Sequence, residues 1–176
     1  ALGGCRRDPS PPADARGNRS GDAVASTDVA YVGRQQCGRC HEAEVRRWEG
    51  SHHDLAMQEA TPTTVLGDFR NTSFTYGGVT TRFTTRDSRF IVSTDGPDGA
   101  MTEYEVAYVF GVYPLQQYLI AFPGGRYQAL SVVWDARAKA DGGQRWYHLY
   151  PNDNVSHGDV LHWTGFAQNW NAQCAA

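Results

Sequence analysis

Residues 67–150 constrain the fold more than any other part of the chain. Runs rich in Val, Thr, Ile, Phe and Tyr recur there at intervals of about ten residues, separated by turn-forming clusters. Val79–Thr85 and Arg89–Thr94 flank Arg86-Asp87-Ser88. Asp95-Gly96-Pro97-Asp98-Gly99 precedes Thr102–Phe110. Gln117–Phe122 and Arg126–Trp134 flank Pro123-Gly124-Gly125, and Asp141-Gly142-Gly143 precedes Arg145–Leu149. About six strands with short connections predict an antiparallel β meander or sandwich. Within Thr102–Phe110, strict alternation puts Tyr104, Val106, Tyr108 and Phe110 on one face. Glu103, Glu105, Ala107 and Val109 take the other.

The flanking segments read differently. Residues 1–28 form an N-terminal unit, of which 6–28 contain no aromatic residue and only Val24 as a large aliphatic. Such a stretch cannot bury enough surface to offset its ordering entropy, so it reads as a flexible tether spanning roughly 25 Å. Residues 29–66 carry helical character. Glu42–Glu49 lacks proline and places Ala43, Val45 and Trp48 on part of one face. Gly50-Ser51 is a break, Ser51 is placed to cap a second short helix over His53–Glu59, and Pro62 ends it. The expected fold class is therefore α+β, with a short helical segment packed on the antiparallel β domain. Residues 151–176 show little periodicity.

At 176 residues the chain suits one ordinary domain. The net charge of −3 and a pI near 6.1 argue against a nucleic-acid-binding protein, which needs a concentrated basic face. No apolar run is long enough for a membrane-spanning helix.

The cysteines carry the chemistry. Cys5 and Cys174 lie near the two ends, whereas Cys37-Gly-Arg-Cys40-His41 is C-x-x-C-H, the attachment motif of a c-type haem. The spacing has a physical reason. Two thiols three residues apart on a turn add to the two vinyl groups on one porphyrin edge. The next residue, His41, then offers its imidazole to the iron as proximal ligand. A zinc site would need a second ligand pair, and no further C-x-x-C or H-x₃-H exists. The expected cofactor is one covalent haem c.

Two resemblances extend this reading. Leu2-Gly3-Gly4-Cys5 resembles a bacterial lipobox, which implies acylation at Cys5 and anchoring to a lipid bilayer on the periplasmic side of a bacterial membrane. The motif followed by Trp48, Ser51, His53 and Ala56-Met57 resembles the multihaem cytochrome c families, with their C-x-x-C-H…W-x-x-S-x-H-x-x-A pattern. Phe110–Tyr118 and the stretch from Leu161 to Trp170 are also similar to bacterial periplasmic multihaem cytochromes. In that group the latter stretch leads into a second C-x-x-C-H, which Cys174-Ala175-Ala176 would begin. A second haem would require the chain to continue past Ala176.

The sixth iron ligand stays open among His52, His53, Met57, His148, His157 and His162, with a vacant sixth position as the further alternative. The family pattern implies His53, so the expected metal ligands are His41 and His53. An unbroken helix from His41 would carry His53 about 18 Å away, so the chain must fold back at Gly50-Ser51 for that assignment. Met57 is the next candidate. His148 reads as a packed strand residue and His157 as a surface loop residue.

The expected function is one-electron transfer by a membrane-tethered periplasmic cytochrome domain, an electron carrier more than a catalyst. The expected partners are redox proteins or a membrane electron-transfer complex. Two alternatives stand beside it: an accessory subunit of a respiratory or photosynthetic complex, and the N-terminal part of a larger multihaem cytochrome.

Overall fold

The computed structural model describes residues 33–175; the tether and the lipidation expected at Cys5 lie outside the described residues. The fold class is α+β, dominated by antiparallel strands. In chain order, α1 (Arg34–Gly38) and α2 (Glu42–Trp48) precede β1 (Met57–Glu59), β2 (Thr72–Tyr76), β3 (Val79–Arg86) and β4 (Arg89–Asp95). Then follow β5 (Met101–Phe110), β6 (Leu115–Phe122), β7 (Arg126–Ala129), β8 (Val132–Asp135), β9 (Arg145–His148) and α3 (Trp170–Gln173).

The main path runs β2-β3-β4-β5-β6-β8-β9, with β1 added to β5 and β7 to β6. Its two ends meet through side chains. The Trp146 indole N–H donates to Thr72 Oγ1 at 3.1 Å, and the Tyr76 hydroxyl donates to the Tyr150 carbonyl at 2.7 Å. The sheet thus curls toward a barrel, which removes most of its free edge. Two tight hairpins set the register. Gly77 and Gly78 (φ 54° and 81°) join β2 to β3, and Asp87 and Ser88 (φ 49° and 63°) join β3 to β4. Consecutive left-handed residues match the twist of the flanking strands.

An aromatic cluster fills the interior. Phe69 meets Phe83, Phe90, Tyr118 and Trp146 edge-on at 5.1–5.6 Å, and Phe83 stacks on Trp146 at 3.6 Å. Val92, Val109, Ile120 and Leu130 are buried in the same cluster. Gly67 lies against this cluster, where a Cβ would come within 2.7 Å of the Trp146 ring.

Four features depart from the strand and helix expectations. First, residues 51–56 form a single helical turn, with Leu55 N–H donating to the Ser51 carbonyl and the Ser51 hydroxyl accepting from Asp54 N–H. The second helix expected over His53–Glu59 is instead β1. Beyond its pairing with β4, β5 offers a free edge at Tyr108–Phe110, and Met57–Glu59 takes it; tertiary pairing overrides local helix propensity. Second, Arg126–Trp134 is not one strand. It breaks at Leu130-Ser131 into β7 and β8, which share the outer edge of β6. Third, alternation fails in β5. A bulge at Ala107 places Val106 and Val109 in the core, on what simple alternation makes opposite faces. Fourth, β2 adds a strand over Thr72–Tyr76, whose burial alternates as its sequence does.

Buried Gln116 fastens the start of the β domain. Its Oε1 accepts from Leu66 N–H (2.7 Å) and its Nε2 donates to the Thr64 carbonyl (2.9 Å). Together with β1 and the Gly111 N–H to Ala56 carbonyl bond (2.7 Å), it holds the segment that follows the helices.

Candidate functional site

Gly33 (φ 74°) opens α1, and the Cys37 carbonyl closes the turn that follows it. That oxygen accepts from both Cys40 N–H (3.2 Å) and His41 N–H (3.0 Å). His41 occupies the N-cap position of α2, its carbonyl accepting from Val45 N–H at 3.0 Å. Glu42 and Glu44 in the first turn and Arg46 and Arg47 in the last complement the helix dipole. Gly38 lies over Val45, so the two helices touch through a residue without a side chain.

His41, Glu44, Val45 and Trp48 recur at i, i+3, i+4 and i+7, which is one helix face. With Cys37 and Arg34 they line an open groove of about 390 Å³. Cys37, Cys40 and His41 are all exposed, and neither helix has a buried residue. Trp48 is 43% exposed. The Arg34 guanidinium lies 5.6 Å from the Trp48 ring centre and reaches Glu49 (3.9 Å) and Asp54 (3.6 Å). These ion pairs are exposed and contribute little on their own. Helices of five and seven residues with no buried face are not self-supporting in water. The groove therefore leaves the side chains of Val45 and Trp48 without a protein partner to bury them among the described residues.

The chain does reverse after α2. Gly50 has φ 71°, its N–H donates to Asp54 Oδ2 at 2.9 Å, and Asp54 reaches back to Arg34 on α1. His53 lies in this returning turn, is exposed, and does not line the groove. His52 faces Tyr113, with ring centres 6.2 Å apart. Met57 is half-buried in β1 opposite Phe110. Arg34 and Glu44 are groove residues that sequence reading passed over; their i+3 relations to Cys37 and His41 were the available signal.

Of the remaining histidines, His148 ends β9, and His157 and His162 lie in the C-terminal segment. His148 is buried, stacks on Tyr76 at 3.7 Å, and accepts at Nδ1 from Tyr150 N–H. His162 is buried with both ring nitrogens engaged, Nε2 with Asp95 Oδ2 (3.1 Å) and Nδ1 with Thr164 Oγ1 (2.8 Å). His157 is exposed beside Gly99. Cys174 is an exposed free thiol following α3, whose first turn is capped by Asn169 Oδ1 accepting from Ala172 N–H. Among the described residues no three His, Cys, Asp or Glu side chains converge as an ion site, and no helix is long and apolar enough to cross a membrane.

Comparison with protein families, curated proteins and solved structures found no match to this chain.

Proposed function

We propose that this chain is a c-type cytochrome domain that carries single electrons through one covalently held haem. One observation carries the reading: the C-x-x-C-H turn stands beside an exposed apolar groove that Cys37 and His41 help to line. The residues fit the group. The thiols of Cys37 and Cys40 are free and exposed, so each S–H can add across a porphyrin vinyl group. His41 would offer its imidazole to the iron from the N-cap of α2. Val45 and Trp48 supply an apolar wall on the same helix face. The haem, once bound, supplies an iron centre that cycles between two oxidation states. His53 is proposed as the second axial ligand, on the support that its turn folds back toward α1; Met57 is the alternative.

The proposed setting is the periplasmic side of a bacterial membrane, with Cys5 acylated and residues 6–28 as tether. The proposed partners are redox proteins or a membrane electron-transfer complex. A second reading, an accessory subunit of such a complex, is favoured by the size of the β barrel, whose strands supply most of the buried core of the described residues and stand outside the groove.

Export of the chain in a host with haem-attachment machinery tests the proposal. Wild type is expected to keep its colour through acid–acetone extraction and to show a reducible c-type α-band. Cys37→Ser/Cys40→Ser is expected to lose it. A wild-type chain that matures without covalent haem would overturn the reading and favour the accessory subunit. For the second ligand, low-temperature spin-resonance spectra of His53→Ala and Met57→Leu separate the two candidates, because only loss of the true ligand changes the axial signature.

A further inference from the structure

One end of the barrel encloses a second, wholly separate feature. A cavity of about 40 Å³ lies where β2, β4 and β9 end and β3 and β8 begin. The C-terminal segment folds over it through Val155, His162 and Trp163. The Trp163 indole N–H donates to the Asp95 carbonyl (2.8 Å), and Gln128 Nε2 donates to the Trp163 and Gly165 carbonyls. The segment is thus held shut from two sides.

The polar groups that converge here exceed what the protein satisfies by itself. Ser131 sits at the step between β7 and β8, is 3% exposed, and its hydroxyl has no protein partner. The Thr81 and Thr94 hydroxyls bond each other at 2.8 Å, and Thr94 donates on to Asp95 Oδ1 at 3.2 Å. His148 uses Nδ1 as acceptor for Tyr150 N–H, so the neutral ring carries its proton on Nε2. A buried polar group without a partner is costly, and native cavities that contain one are normally wet.

Charge and size select the occupant. An anion would meet the Asp95 carboxylate. A metal cation would need more ligands, and no three such side chains converge among the described residues. A water molecule needs roughly 10–15 Å³ of this kind of space and two to four polar partners, so the cavity accommodates about three. We propose that the barrel mouth is a bound-water site, in which ordered waters take the Ser131 hydroxyl as partner and join it to the Asp95–His162 pair and to His148. The waters complete a hydrogen-bonded plug that holds the C-terminal segment over the barrel.

A high-resolution crystal structure of the chain, paired with water–protein cross-relaxation by NMR, tests this. The expected result is density for water within about 2.7–3.2 Å of Ser131 Oγ and long-lived water contacts to Thr81, Ser131 and His148 protons. Ser131→Ala should lose the water bound at that position, and Ser131→Val should lose those contacts while the rest of the barrel is unchanged. A dry mouth in the wild-type protein overturns the proposal, as does a Ser131 hydroxyl bonded to a backbone carbonyl. Wild-type measurement alone decides between these if a variant fails to fold.

Discussion

Gly67 shows how closely the interior is fitted at the scale of one residue. A methyl group there would collide with the Tyr118 hydroxyl and the Trp146 ring, both part of the buried cluster. Gly67→Ala is expected to destabilise by about 1–3 kcal/mol, the usual cost of overpacking, read as a lower denaturant midpoint at constant m-value. Phe69→Ala, which removes the hub of four ring contacts, should cost about 3–5 kcal/mol. Two titrating groups contribute to the acid response at well-separated pH. Burial lowers the His148 pKa, so the folded state favours the neutral ring and the unfolded chain binds the extra proton. That contribution is fully present above about pH 6.5 and is lost as pH falls through the lowered folded value. The Arg137 guanidinium, hydrogen-bonded to Asp135, holds that carboxyl at about 2. Its contribution is present above about pH 4 and is lost as pH falls toward 2. Thermal melts against pH should decline in these two stages. In His148→Phe the first stage should vanish; an unchanged first stage would assign it to another group.

At the scale of elements, the strands were legible where turn chemistry and β-branched runs agree, as for β3, β4 and β9. The places where reading failed share a cause: a neighbour decided the outcome. β1 exists because β5 has a free edge at Tyr108–Phe110, and nothing within His53–Glu59 announces that edge. The break at Leu130-Ser131 lets one run serve two positions along β6. The bulge at Ala107 resets which side chains of β5 enter the core. β2 was readable, since Thr72–Tyr76 alternates cleanly before Gly77-Gly78. The join between helical segment and barrel rests on Gln116. Gln116→Leu should leave Leu66 N–H and the Thr64 carbonyl without their partner, costing about 1–3 kcal/mol and raising amide exchange at residue 66 ahead of the barrel strands.

Across the whole molecule, the β barrel holds a buried core and the helical segment does not. Every residue of the buried hydrophobic cluster lies at or beyond Phe69, while α1 and α2 contribute none. The C-x-x-C-H motif was legible because it is local chemistry, fixed within five residues. The groove beside it was legible only in part: Val45 and Trp48 stand out by helix spacing, whereas Arg34 enters through a fold that the motif does not encode. The proposed second axial ligand is the least legible, because it would depend on how the turn after Gly50 meets a group of haem size. On this account the helical segment is ordered by what it holds, and the barrel is the platform. Covalent attachment at Cys37 and Cys40 is the step on which the proposed electron transfer depends. Intact-mass measurement of the exported chain, followed by mass analysis of the peptide bearing Cys37 and Cys40, addresses it most directly. One added haem is expected, located on that peptide, with both thiols unavailable to alkylation. An unmodified peptide with two alkylatable thiols, from a host that matures other c-type cytochromes in the same culture, would contradict it.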